Sequence, residues 1–118
     1  MKTLRKSLLA QFTSSEQWHR HGLVCDILFT DGAKYVADAG GAYWLLDEIA
    51  LAQRIKSVAG EAFQVWKLAV KEDKTTVLTC DDGDDNVVFM KRIAFTDFPL
   101  DEIRFYVTGK TILLPSEY

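Results

Sequence analysis

The stretch Gly40-Gly41-Ala42-Tyr43-Trp44-Leu45-Leu46-Asp47-Glu48-Ile49-Ala50-Leu51-Ala52 constrains the fold more than any other. Leu45, Ile49 and Ala52 recur at i, i+4 and i+7, and Leu46 and Ala50 follow one step round, which is the spacing of one helix face. Tyr43, Trp44 and Leu51 widen the apolar arc beyond a surface stripe, and only Asp47, Glu48, Arg54 and Lys56 ask for water. A helix this apolar, expected over residues 42–56, must be surrounded by other elements. Asp38 is the expected cap, and Gly40-Gly41 releases the chain into the helix.

One core suffices for the whole chain. With 118 residues it makes a single expected domain, 1–118, long enough to bury about two-thirds of its unfolded surface. An apolar content of 48% and an aromatic content of 12% argue against disorder. No apolar run approaches the ~18 residues of a membrane-crossing helix. The basic start, Met1-Lys2-Thr3-Leu4-Arg5-Lys6, is followed only by Leu8-Leu9-Ala10 before Gln11, too little for a signal peptide. The expected location is therefore cytoplasmic. Cys25 and Cys80 do not make a disulfide framework.

Leu4, Leu8, Leu9 and Phe12 share a helical face, so a first helix is expected over residues 2–12, with Lys2, Arg5 and Lys6 on its other face. Thr13-Ser14-Ser15-Glu16 fits a capping box and suggests a short helical turn over Glu16-Gln17-Trp18-His19. Leu23 to Thr30 reads as a strand, Asp31-Gly32 as a hairpin turn, and Ala33 to Ala37 as the returning strand. The second half reads as strands at 63–70, 75–80, 86–95, 103–107 and 111–114, separated by turn residues. Along 63–70, Phe63, Val65, Lys67 and Ala69 share one face and Trp66, Leu68 and Val70 the other. The expected class is α+β: an N-terminal helix, a short hairpin and a buried central helix packed on a four- to five-stranded antiparallel meander.

Chemistry has few footholds. His19 and His21, with Cys25 close by, suggest zinc ligation, but a structural site needs a fourth ligand and no second cluster supplies one, so no metal is expected. Cys25 lies in an apolar strand, which favours a quiet thiol over a nucleophile. Asp81-Asp82-Gly83-Asp84-Asp85-Asn86 resembles a calcium loop, yet the twelfth position from Asp81 is Arg92 rather than Glu. No phosphate-binding glycine loop or serine nucleophile elbow occurs, and no cofactor is expected.

The net charge of −3 is uneven: residues 1–22 carry four basic groups against Glu16, and the rest is acidic, most densely at Glu72, Asp73, Asp81, Asp82, Asp84 and Asp85. Such a balance disfavours non-specific nucleic-acid binding. Glu72, Asp73, Asp82, Asp84 and Asp85 are the candidate partner-binding residues, suited to a protein with a basic surface.

Phe12-Thr13-Ser14-Ser15-Glu16-Gln17-Trp18, Thr30-Asp31-Gly32-Ala33-Lys34-Tyr35, Gly40 to Ala50 and Leu113-Leu114-Pro115-Ser116-Glu117-Tyr118 together resemble a family of small uncharacterised bacterial, plasmid and phage proteins. The resemblance covers nearly the whole chain and brings no catalytic residues. It implies a protein of mobile genetic elements. The expected function is a non-catalytic protein-binding or inhibitor module, one reading being action on a host defence nuclease. Two alternatives stand beside it: a small enzyme using His19 and His21 with acidic residues, and a nucleic-acid accessory protein using the basic N-terminal helix.

Overall fold

In the computed structural model, which describes residues 9, 18–22, 24 and 26–118, the alternation along 63–70 builds the centre of a sheet. Gln64, Trp66 and Leu68 are buried, and their neighbours in sequence turn to the opposite face. The strands are β1 (Trp18–Arg20), β2 (Leu28–Thr30), β3 (Phe63–Val70), β4 (Thr76–Asp81), β5 (Val87–Ile93), β6 (Glu102–Thr108) and β7 (Thr111–Leu113). They form one seven-stranded sheet in the order β1-β2-β7-β6-β3-β4-β5. Its pairs are antiparallel except β2 and β7, which run parallel. Between β2 and β3 come α1 (Asp31–Gly40), α2 (Tyr43–Ala52) and the short α3 (Lys56–Ala59); a 3-10 turn (Pro115–Glu117) follows β7.

This corrects the expected architecture. The sheet is mixed and seven-stranded rather than a four- to five-stranded antiparallel meander. Strands β3, β4 and β5 do follow one another, but β6 then crosses to the free side of β3, and β7 carries the sheet on to β2 and β1. The expected helix over 2–12 and the capping box at Thr13–Glu16 lie outside the described residues. The helical turn expected to reach His19 is a strand over Trp18–Arg20.

The hairpin at Asp31-Gly32 is the first turn of α1. Thr30 has extended backbone angles and its Oγ1 accepts the Ala33 amide at 3.3 Å, so it caps the helix. Asp31 then sits in the first turn, where the helix dipole favours an acid. The stretch expected as a returning strand buries Gly32, Ala33, Val36 and Ala37, one helical face. Gly41, at φ 62°, ends the helix in the left-handed region that glycine tolerates, and the Ala42 amide closes back on the Ala37 carbonyl at 2.9 Å. Asp38 is inside α1 and accepts hydrogen bonds from Tyr43 and Lys34 rather than capping α2.

Helix α2 buries Leu45, Leu46, Ile49, Ala50 and Ala52 in the core shared by the helices and the sheet, as its spacing demands. It stops at Ala52, short of the expected 56. The amides of Gln53, Arg54 and Ile55 bond three residues back, and Ile55 is extended. The break lets Val58 of α3 enter the core, with no surface left exposed. It also sets a buried amide network. Gln53 and Gln64 exchange two hydrogen bonds of 2.8 Å, Trp66 Nε1 donates to Gln64 Oε1 at 2.9 Å, and Gln64 Nε2 donates to the Val58 carbonyl at 2.9 Å. Among the described residues no buried side-chain nitrogen or oxygen lacks a partner, which is what a low-dielectric interior requires.

Gly32 is needed for close approach. A Cβ there would meet Glu117 Oε1 at 2.4 Å and Leu114 Cδ1 at 2.8 Å. Glycine to alanine in a helix ordinarily stabilises. Here Gly32→Ala is expected to destabilise by about 1–3 kcal/mol through overpacking, measured by urea unfolding. A neutral or stabilising result would show that the Glu117 contact gives way freely.

Candidate interaction surface

The acidic residues singled out from the sequence fall in two separate turns. Glu72 and Asp73 lie in the β3–β4 turn, and Asp82, Asp84 and Asp85 in the β4–β5 turn. These turns cap opposite ends of β4, whose six residues span about 20 Å. The five carboxylates do not form one patch.

The β4–β5 turn is braced by its own side chains. Asp81 Oδ1 accepts the Gly83 amide at 2.7 Å. Asp82 Oδ1 accepts the Asp84 amide at 2.8 Å and the Asn86 amide at 3.3 Å, and its Oδ2 accepts Asn86 Nδ2 at 2.9 Å. These donors, the Asn86 side chain first, hold the Asp82 carboxyl below its usual value of 3.8. Asp82 thus braces the turn while keeping its charge. Asp84 and Asp85 are exposed, and their carboxylates have no partner among the described residues. In the other turn Asp73 is spent in the same way: it accepts Thr75 Oγ1 at 2.6 Å and the Thr75 amide at 3.0 Å, which lower its pKa.

An aromatic cluster adjoins the β4–β5 turn. Phe63, Tyr106 and Tyr118 make three edge or tilted contacts with centroids 4.9 to 5.6 Å apart. Gly83, at φ 92°, lies so near that a Cβ there would be 3.1 Å from the Phe63 ring. Tyr118 is 74% exposed and Val87, the first residue of β5, 60% exposed. Strand alternation groups Phe63 with Val65, Lys67 and Ala69, but nothing in the local pattern brings Tyr106 and Tyr118 to it. Those contacts come from the β3–β6 pairing, which sets Val65 opposite Tyr106, and from the C-terminal turn.

The histidines are committed elsewhere. The Val24 amide donates to His21 Nδ1 at 3.0 Å, so that nitrogen carries no proton, and Nε2–H donates to Asp47 Oδ1 at 2.8 Å. Both nitrogens of this buried ring are used, whereas a general base keeps one open toward substrate. His19 stacks on Phe29, and its Nε2 lies 2.9 Å from Asp31 Oδ1. Their carboxylate partners sit on different helices, α1 and α2. Among the described residues no group of three or more His, Cys, Asp or Glu is placed to hold a metal. Burial, and then the neighbouring Asp81, push the Cys80 thiol up to about 12, so it stays protonated and unreactive. Cys25 and the basic residues Lys2, Arg5 and Lys6 lie outside the described residues.

Taken together, the described residues define a mixed sheet that presents a braced acidic turn beside a half-buried aromatic cluster whose outermost ring is Tyr118. The chain belongs to a family of unknown function, DUF6876, whose model matches residues 3–118. No curated protein and no solved structure matches it significantly. Among the described residues no helix is long and apolar enough to cross a membrane.

Because the Asp82 carboxyl titrates below its usual value, the stability it contributes is present above pH 3.8 and fades as pH falls through the lowered value. Asp82→Asn keeps an acceptor for the turn amides but removes the titration. The variant is expected to lose less melting temperature than the parent between pH 4.5 and 2.5 (about two units around the usual carboxylate range). Equal losses would mean that the turn bonds are not formed in solution.

Proposed function

We propose that this protein is a non-catalytic binding module whose partner is a protein with a basic surface. The observation that carries the reading is the β4–β5 turn, where Asp81 and Asp82 are consumed in bracing the loop, so that Asp84 and Asp85 project from a rigid support. Fixed charges steer encounter and lose little entropy on binding. The adjoining Phe63, Tyr106 and Tyr118 supply the rigid, partly apolar contact area that anchors protein interfaces. The use of both His21 nitrogens weighs against the alternative of histidine catalysis.

The finer setting belongs to the same proposal. The module works in the cytoplasm on behalf of a plasmid or phage, and the basic surface is the nucleic-acid groove of a host defence nuclease. The resemblance to proteins of mobile elements and the acidity of the turn support this setting. A groove built for phosphates is complementary to closely spaced carboxylates.

The test replaces Asp84 with Lys and Asp85, whose φ of 64° favours Asp or Asn, with Asn, and leaves Asp82 in place. Partner is captured from nuclease-treated host lysate, and its kinetics are measured with the purified pair. The association rate is expected to fall on the order of tenfold at low salt and to converge with the parent at high salt, with the melting temperature unchanged. Unaltered rates at both ionic strengths would refute the acidic turn as the working surface.

A further inference from the structure

A second aromatic feature lies at the far end of β5, where Trp44 of α2 faces the segment that leaves the strand. Residues 95–98 alternate sharply: Thr96 and Phe98 are buried, whereas Phe95 is 68% exposed and Asp97 is exposed. The segment is tied down at the buried positions. The Thr96 amide donates to the Lys74 carbonyl at 3.2 Å, and Thr96 Oγ1 accepts the Phe98 amide at 3.2 Å. Phe95 and Asp97 are therefore held outward together on a fixed support. With Trp44, Ile93 and Thr96 they line an open cleft of about 280 Å³. The Asp97 carboxylate has no hydrogen-bond or ion-pair partner among the described residues.

An exposed phenylalanine on an anchored segment does nothing for the core. Two aromatic side chains and an unpaired carboxylate lining one cleft match one kind of ligand. A cation is drawn to the ring faces, and a planar guanidinium stacks on them while its N–H fork pairs with a carboxylate. The neighbouring basic residues Lys71 and Arg92 line an adjoining cavity, with Thr75, Thr76 and Val77, that meets this one at Ile93. Lys91 is paired with Glu48 at 2.7 Å.

We propose that the cleft formed by Trp44, Phe95 and Asp97 receives an arginine side chain of the protein partner. The inference rests on the reading that the partner is a basic protein, and it adds a discrete subsite about 20 Å from the β4–β5 turn, at the other end of the seven-residue β5. Asp97 fixes the charge preference, and the rings select the flat guanidinium over the compact, more strongly hydrated lysine ammonium.

The test uses the isolated protein and three capped peptides, acetyl-Gly-Arg-Gly-amide and its lysine and norleucine counterparts, titrated into isotopically labelled protein by NMR. The arginine peptide is expected to shift the Trp44 indole and the signals of residues 95–97, and to bind at least about threefold more tightly than the lysine peptide. The norleucine peptide should leave these signals in place. Asp97→Asn and Phe95→Leu should each weaken the arginine peptide by about fivefold or more, with spectra elsewhere unchanged. Norleucine binding as well as arginine would make the cleft merely apolar and overturn the proposal. So would shifts located elsewhere, no shifts at all, or variants that bind normally. No captured partner enters this experiment, so its failure leaves the Asp84 and Asp85 test standing, and failure of that test does not decide this one.

Discussion

One carboxylate ties the C-terminal turn to the start of α1. Glu117 accepts Thr30 Oγ1 at 2.6 Å, the Gly32 amide at 3.2 Å and the Leu114 amide at 2.9 Å. It thereby pins the turn after β7 to the place where β2 becomes α1, beside the parallel pair of Leu28 with Thr111 and Phe29 with Ile112. Without that junction the sheet would divide into a β1–β2 ribbon and a five-stranded remainder. Two-stranded ribbons are marginal in water. The carboxylate also lies at the N-terminal end of α1, where amides without helical partners and the helix dipole favour negative charge. The bare backbone of Gly32 gives it the room.

That junction explains what could and could not be read from the residues alone. The strands expected at 63–70, 103–107 and 111–114, found at 63–70, 102–108 and 111–113, and the buried face of Leu45, Ile49 and Ala52, follow from local periodicity and from burial on one side. Segment 31–37 folds against its local signal. Asp-Gly between apolar runs is a strong hairpin signal, and Ala33 to Ala37 is too short for its period to decide between helix and strand. What decides it is Thr30 as cap and Glu117, 85 residues beyond Gly32, against the first turn. The parallel pairing of β2 with β7 was likewise beyond local pattern, because its partners lie more than 80 residues apart in sequence. The expectation of a meander failed for the same reason: a strand's neighbours are chosen by the whole sheet.

The candidate surface was legible in part. Its acidic residues stood out as a charge run, but their division of labour did not. Asp82 and Asp73 have the composition of a binding patch and the geometry of turn braces. Asp84 and Asp85 are the members of the β4–β5 set whose carboxylates have no partner among the described residues. The aromatics beside them were scattered through the sequence at Phe63, Tyr106 and Tyr118 and met only when β3, β6 and the C-terminal turn came together. The same Glu117 that closes the fold precedes Tyr118, so the junction also positions the most exposed ring of the cluster.

The measurement that bears most directly on this account is site-specific photo-crosslinking in host cells, with a photoreactive amino acid in place of Asp84 and, separately, of Ser57 on α3. Both positions are exposed, and they lie in different elements. The account predicts a discrete adduct with one basic protein from position 84 and none from position 57. Adducts from position 57 alone, or the same adducts from both, would contradict it.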